Sequence, residues 1–168
     1  ELGLVGSEMC IRDRSKTLEF DLRKGVTFHN GEKFDADDVV YTLTYISNPE
    51  NGAKPARNVN WWDSAEKLGD YKVRLNLTKE FPAALEFLSG PIVMYPNEYY
   101  AEVGPEGMAM KPVGTGPYAV TSVEPGKRYK FKKNDNYHAS SPKGQANIGN
   151  IVIRTIAESN TQLAELFS

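Results

Sequence analysis

Alternating hydrophobic and polar positions predict several β-strands in this chain. Residues 18–22 place Leu18, Phe20 and Leu22 between acidic residues, and residues 71–77 alternate in the same way. Successive side chains of a strand point to opposite faces, so each segment should bury one face and leave the other in water. Residues 118–123 and 128–132 read as a hairpin, and the apolar run at 151–156 predicts a buried strand.

Capping residues and apolar spacing predict helices between these strands. Asp35 suits the N-cap of a helix that ends at Asn48-Pro49, with an apolar stripe formed by Val39, Val40, Leu43 and Ile46. A short helix after Pro82 should carry Leu85 and Leu88 on one side, and Asn97 should cap another that ends at Gly104-Pro105. Between them, residues 92–95 are a candidate strand. Ser159 and Gln162 have capping-box spacing at the start of a last helix.

Two loops divide this mixed α/β pattern. Residues 51–60 form a polar loop that runs into Trp61-Trp62 without core periodicity around it. Residues 112–117 (PVGTGP) alternate rigid and flexible positions, which suits a crossing between two structural units, so a boundary is expected there.

Composition narrows the possible functions. The chain has 168 residues, 40% of them hydrophobic and 25% charged, with a formal net charge of -2. This balance is that of a folded, water-soluble chain, and it offers no positive field for nucleic acid. One cysteine and two histidines leave little material for a disulfide or a transition-metal site, so no metal or other cofactor is expected.

Several motifs resemble catalytic or binding sites but have simpler interpretations. Gly114-Thr115-Gly116 precedes a predicted strand and lacks the helix of a phosphate loop, so a turn or hinge is favoured. Asp35, Asp37 and Asp38 fit helix capping better than calcium binding. The basic run 127–133 alternates as a strand with one wet face, and neither His29 nor His138 has a ligand partner at metal-site spacing. No serine lies in a nucleophile elbow, so no catalytic residue is predicted.

The aromatic segment 58–62 (NVNWW) remains the best candidate for binding. Aromatic faces can stack on peptide, sugar or cationic groups at low entropic cost. Alternatively, one tryptophan fills the core beneath the loop, and the sequence leaves both interpretations open.

The two ends of the chain differ from its middle in their sequence patterns. Residues 1–14 (ELGLVGSEMCIRDR) show no helix or strand period, and we expect them to be a non-native, adapter-like segment. The last helix stops after about two and a half turns. The sequence therefore reads as a piece of a longer protein.

Three separated motifs resemble one family. Residues 18–43 (LEFDLRKGVTFHNGEKFDADDVVYTL), 112–118 (PVGTGPY) and 134–137 (NDNY), the last followed by IVIRTIAESNTQLAELFS, are similar in order and spacing to bacterial extracellular solute-binding proteins of family 5. This family comprises the oligopeptide-, dipeptide- and nickel-binding components of ABC importers.

The resemblance implies a fragment of a periplasmic-binding-protein type II-like fold. Residues 15–110 would form the small subdomain of the first lobe and residues 111–168 would return into the large part of that lobe, while the opposing lobe is absent. A small-molecule solute of the peptide class and the permease subunits of the inner membrane would be the partners, and the protein would be periplasmic or tethered outside the cytoplasm.

The resemblance also implies site residues. The implied ligand contacts are Asn60, Trp61, Trp62, Ile92 and Met94. The implied architectural or hinge motif is Gly114, Thr115, Gly116, Pro117 and Tyr118. An enzyme domain, such as a hydrolase, that reuses this architecture and a sensory module of a transcriptional regulator are the alternatives.

Overall fold

The computed structural model describes residues 8–10, 16–52, 56–90, 92–139, 141 and 144–167. Their strands are β1 (Glu8–Cys10), β2 (Thr17–Asp21), β3 (Trp62–Gly69), β4 (Lys72–Leu77), β5 (Tyr118–Glu124), β6 (Arg128–Lys133) and β7 (Asn150–Arg154). Their helices are α1 (Ala36–Ser47), α2 (Ala56–Val59), α3 (Ala84–Ser89), α4 (Asn97–Met110) and α5 (Ser159–Leu166), with a 3-10 turn at Pro49–Asn51. The fold is mixed α and β, as the sequence predicts.

The first sheet has the strand order β1-β2-β4-β3, with antiparallel neighbours. Phe20 of β2 lies opposite Val73 of β4, and both side chains are buried. Glu19 lies opposite Arg74 on the other face, where the Arg74 guanidinium donates to the Glu19 carboxylate over 2.8 Å. The alternation predicted for these two strands is confirmed.

Helix α1 packs across β3 and β4 and supplies much of the first core. Asp35 is its N-cap: its carboxylate accepts from the backbone N–H of Asp37 over 2.9 Å, and Asp38 completes a capping box. Val39, Leu43 and Ile46 are buried, while Val40 is only partly buried. Asn48 ends the helix. The prediction for this helix is therefore confirmed.

Strand β3 was not predicted from the sequence. Two register shifts interrupt its pairing with β4, one between Trp62 and Ser64 and one between Lys67 and Gly69. Each shift breaks the period of two by which a strand is recognised. As a result, Trp62 is the only residue of β3 that is fully buried.

The segment from α3 to α4 also differs from its prediction. Residues 92–96 are not a strand, because the backbone N–H of Tyr95 donates to the Thr42 hydroxyl of α1 over 2.9 Å instead of joining a sheet. In α3, Leu88 is buried but Leu85 is exposed. Helix α4 starts after Pro96 and continues to Met110 through a kink at Gly104, whose φ of 65° is accessible to glycine.

The second sheet has the order β5-β6-β7. The predicted hairpin β5–β6 is confirmed, and β7 pairs antiparallel with β6. The expectation that β7 is buried is wrong for this structure: Ile153 is 51% exposed and Val152 is 55% exposed. β7 lies at the edge of its sheet, and the described residues leave both of its faces partly in water.

The ends of the chain give two further corrections. Helix α5 has Glu158 as its N-cap without a side-chain cap, and Gln162 donates instead to the carbonyl of Ile156 over 2.6 Å. The expected capping box at Ser159 is therefore wrong. The backbone of β1 pairs with β2, so a short strand lies in a segment where no element was predicted.

Candidate functional site

Trp61 lies at the centre of an aromatic cluster made of Trp61, Trp62, Phe81 and Phe87. Its ring stacks on Phe81 with centroids 4.7 Å apart and meets Trp62 edge to face at the same distance. Phe87 closes the cluster at 5.3 Å from Phe81. The Trp61 indole N–H donates to the carbonyl of Asn58 over 2.9 Å, so its one polar atom is satisfied within the protein.

The two tryptophans belong to the first core. Trp61 is 1% exposed and Trp62 is 4% exposed, although no core periodicity surrounds them in the sequence. The alternative in which a tryptophan fills the core holds for both indoles. The other predicted ligand contacts, Ile92 and Met94, are buried in the same core. A ligand contact by any of these four side chains stays a prediction, and it requires that the core opens locally.

The accessible rim of the aromatic cluster is formed by Asn60, Thr78 and Phe81. Asn60 and Thr78 are exposed and Phe81 is partly buried. The Thr78 hydroxyl donates to the carbonyl of Asn60 over 3.3 Å, and the Thr78 N–H donates to the carbonyl of Trp61 over 3.1 Å. This rim therefore offers the Asn60 amide and an aromatic edge on a backbone held in place. Sequence reasoning missed Phe81 and Phe87, although two phenylalanines around Pro82 were a visible signal.

The predicted motif Gly114–Tyr118 forms the connection between α4 and β5. It is not followed by a helix, because Tyr118 begins β5, so the turn or hinge interpretation fits and a phosphate loop does not. His29 holds this segment: its Nε2 lies 2.9 Å from the carbonyl oxygen of Gly116 and its Nδ1 accepts from the N–H of Gly114 over 3.3 Å. Asn134, from the third motif, also donates to the carbonyl of Gly116, over 3.1 Å.

The acidic residues near the start of α1 line a cleft of about 220 Å³. Asp38 is 2% exposed, and its two oxygens accept from the N–H groups of Asp35 and Asn97, each over 2.9 Å. Burial raises the pKa of Asp38 to about 6, against the lowering effect of these two hydrogen bonds. Asp37 instead pairs with Lys67 over 2.8 Å. Capping and helix-to-helix bonding thus account for this cluster, as the sequence predicts.

Within the described ranges, no group of three or more His, Cys, Asp or Glu side chains is arranged to hold a metal ion. None of the described helices combines the length and apolarity needed to cross a membrane. The basic strand β6 pairs with both neighbours in its sheet, as its alternation predicts.

The comparison with protein families gives a match over nearly the whole chain. The sequence profile of the bacterial extracellular solute-binding proteins, family 5 (Middle) matches residues 5–168. The chain belongs to this family of solute-binding proteins. The match begins within the segment 1–14, whose non-native origin stays a prediction.

Two relatives show the range of ligands within the family. A dipeptide-binding protein of Pseudomonas aeruginosa is 30% identical over 149 residues, which cover 76% of this chain and 28% of that protein. The glutathione-binding protein GsiB of Pectobacterium atrosepticum is 30% identical over 166 residues, which cover 98% of this chain and 32% of that protein. The chain spans about a third of the length of these relatives.

Solved structures agree with this family and confirm the fold. NikZ of Campylobacter jejuni, in complex with Ni(L-His), has a TM-score of 0.84 and 28% identity, covering 99% of this chain and 32% of that one. The oligopeptide-binding protein AppA of Bacillus subtilis, in complex with a nonapeptide, has a TM-score of 0.79 at 24% identity and covers 99% of this chain and 33% of that one, which supports the fold alone. The described architecture is therefore that of part of a periplasmic-binding-protein type II-like fold.

Proposed function

We propose that this chain is part of the solute-binding component of an ABC importer that captures peptide-class solutes outside the cytoplasm. The observation that carries the proposal is the family match over residues 5–168, together with relatives whose names describe binding of dipeptides and glutathione. Membership of a family of binding proteins favours binding over catalysis. The protein would be periplasmic or tethered to the membrane and would deliver its solute to the permease subunits.

The chain contributes one side of the binding cleft in this proposal. Such proteins gain affinity by enclosing the ligand between two lobes, and most of the ligand's surface must be buried for tight binding. The residues 15–110 and 111–168 would be the small subdomain and the return into the first lobe. The exposed apolar residues of β7 would be covered by the remainder of the longer protein, since a sheet with an apolar face packs against another layer.

The rim of the aromatic cluster is the proposed ligand-facing surface. Trp61 and Trp62 would support it from beneath, and Asn60 would reach the solute through its exposed amide. Ile92 and Met94, which are buried in the same core, would support this surface by packing beneath it. The segment Gly114–Tyr118 would serve as the architectural connection within the lobe.

Calorimetry on the complete protein tests the proposal. We expect micromolar or tighter binding of di- and oligopeptides by the complete protein, and weak binding or none by the 168-residue chain alone, because this chain would supply only one side of the proposed cleft. Submicromolar binding by the chain alone would contradict the two-sided cleft. Peptide hydrolysis by the complete protein would favour the enzyme alternative, and a helix-turn-helix domain in the same gene would favour the sensory one.

A matched pair of variants locates the ligand-facing surface in the complete protein. Asn60→Ala should weaken peptide binding by roughly twofold to tenfold, the effect of one hydrogen bond, without changing stability. The exposed Asp63, which lies on β3 beyond the rim, provides the control variant Asp63→Ala. Equal affinities for the two variants would place the solute elsewhere.

A further inference from the structure

The two histidines of the chain both connect a loop beside the first sheet to a loop beside the second. His29 lies in a turn between β2 and α1, and His138 lies between β6 and β7. His29 bonds to Gly114 and Gly116 in the segment before β5, while the Nδ1 of His138 lies 3.0 Å from a guanidinium nitrogen of Arg23, which follows β2. We name these five residues the junction.

The partners at the junction fix the protonation of both imidazoles. At His138, Nδ1 faces an arginine, which only donates, so Nδ1 must accept. At His29, Nδ1 faces the backbone N–H of Gly114, and Nε2 faces the carbonyl of Gly116. A neutral imidazole has one donor and one acceptor, so both rings carry their hydrogen on Nε2.

Adding a proton to either ring opposes these contacts. A protonated imidazole donates from both nitrogens, so its Nδ1–H would point at another N–H at His29 and at a guanidinium at His138. One hydrogen bond is lost in each case. At His138, protonation also places a positive imidazolium beside the positive guanidinium of Arg23. The backbone bond from the His29 N–H to the carbonyl of Gly114, 2.8 Å long, does not titrate and would remain.

We propose that the junction is a proton-sensitive coupling, in which both histidines must be neutral for the loops beside the second sheet to be held firmly to the loops beside the first. The proposal goes beyond solute binding and does not depend on it. It concerns how firmly the loops beside the two sheets are connected, and how this connection responds to pH.

Other polar and charged groups lie near the two rings. The His29 ring bonds to the backbone of Gly114 and Gly116, and Glu32 and Lys33 follow it in the chain. Arg23 and the Tyr137 ring, 4.7 Å away, face His138.

Burial and then Arg23 lower the pKa of His138. The unfolded chain therefore binds this proton more readily, so the stability due to His138 is complete above its ordinary pKa of 6.5 and decreases as the pH falls below that value.

The ring tautomers provide the first test, using the 168-residue chain labelled with nitrogen-15 at histidine. Two-bond proton–nitrogen correlation spectra at about pH 8 should show hydrogen on Nε2 of both rings. A hydrogen on Nδ1 of either ring would overturn the proposal. This measurement needs no variant, so it decides the matter even if the variants do not fold.

A double variant provides the second test. In His29→Asn and His138→Asn the amide oxygen occupies the place of Nδ1 and still accepts from Gly114 or Arg23, but it cannot be protonated in this pH range. Lowering the pH from about 7.5 to about 5 should raise the unfolding equilibrium constant of the wild type roughly tenfold more than that of the double variant, the effect of the hydrogen bonds lost. Equal responses would overturn the proposal.

Amide hydrogen exchange locates the effect. After correction for the intrinsic rate at each pH, the Gly114 N–H should lose protection in acid in the wild type and keep it in His29→Asn. The Val73 N–H in β4 provides the internal control, since it lies in the first core. Loss of protection at Val73 to the same extent would mean global unfolding and would also count against a local coupling.

Discussion

The two sheets of this protein differ in how completely they bury their apolar residues. Val73 and Leu75 of β4 are each 1% exposed, in the same hydrophobic core as the buried face of α1 and the two tryptophans. The corresponding apolar face of the second sheet, formed by Val120, Val123, Tyr129, Phe131, Ile151 and Ile153, has no residue that is fully buried. The first sheet therefore has a core of its own, whereas the second needs a partner layer to complete one.

The largest expected effect is at the centre of the first core. Trp61→Ala should lower the free energy of unfolding by about 3–5 kcal/mol, since it removes a buried ring that stacks on Phe81. Phe167, which is 80% exposed, provides the matched aromatic control, and Phe167→Ala should change stability by no more than about 0.5 kcal/mol. Urea denaturation of both variants measures this difference. Similar losses at the two positions would contradict it.

A matched aliphatic pair compares the sheets directly. Leu75→Ala should cost about 2–5 kcal/mol because Leu75 is fully buried. In the isolated chain, Ile153→Ala should cost less than about 1 kcal/mol, because half of its side chain already lies in water. In the complete protein we expect the cost of Ile153→Ala to approach that of Leu75→Ala. A small cost in both settings would mean that nothing covers β7.

Asp38→Asn should have the next largest effect. An amide can accept only one of the two backbone hydrogen bonds that Asp38 makes to Asp35 and Asn97, so the loss should be about 1–3 kcal/mol. The exposed Asp37 supplies the control Asp37→Asn, for which we expect a smaller loss. Thermal and urea unfolding of both variants check this ranking.

The pH dependence of the Asp38 contribution has a definite sign. Its pKa rises from 3.8 in the unfolded chain to about 6 in the fold, so the folded state binds the proton more readily. Stability should therefore fall as the pH rises from about 4 to about 6, and Asp38→Asn should remove this slope. The effect is opposite to that of His138, so the histidine variants must be compared with wild type at each pH. An unchanged slope in Asp38→Asn would show that another group causes it.

The smallest expected effects concern surface ion pairs, one in each sheet. Hydrogen bonding from Arg74 lowers the pKa of Glu19, and Arg128 does the same for Glu124. Each carboxylate contributes stability above its unfolded pKa of 4.5, and this contribution is lost as the pH falls through the folded value. Glu19→Gln and Glu124→Gln should each reduce the acid sensitivity slightly, and added salt should weaken the wild-type contribution. Salt-independent losses would argue against ion pairing.

The sequence predicts the elements whose pattern is local and regular. Helix α1 follows from its cap at Asp35 and its apolar stripe, and β4 follows from strict alternation. Strand β3 could not be predicted in this way because two register shifts remove its period. Residues 92–96 have strand-like composition, but the side chain of Thr42 takes the place of a neighbouring strand, and only the tertiary structure shows this.

The candidate site was harder to predict than the fold. The sequence identified the aromatic segment at residues 60–62 but could not show that Phe81 and Phe87 close over Trp61, since these contacts join distant positions. Likewise, the sequence shows only that His29 has no ligand partner at metal-site spacing. Its partners Gly114 and Gly116, however, lie 85 and 87 residues away, and only the structure identifies them.

Hydrogen exchange at β7 tests most directly the claim that this chain is one part of a larger solute-binding protein. In the isolated chain the N–H groups of Ile151 and Ile153 should exchange much faster than those of Val73 and Leu75. In the complete protein the β7 amides should become as well protected as those of β4. If β7 exchanges equally fast in both, no further layer covers the second sheet, and the account of this chain as part of a larger fold is contradicted.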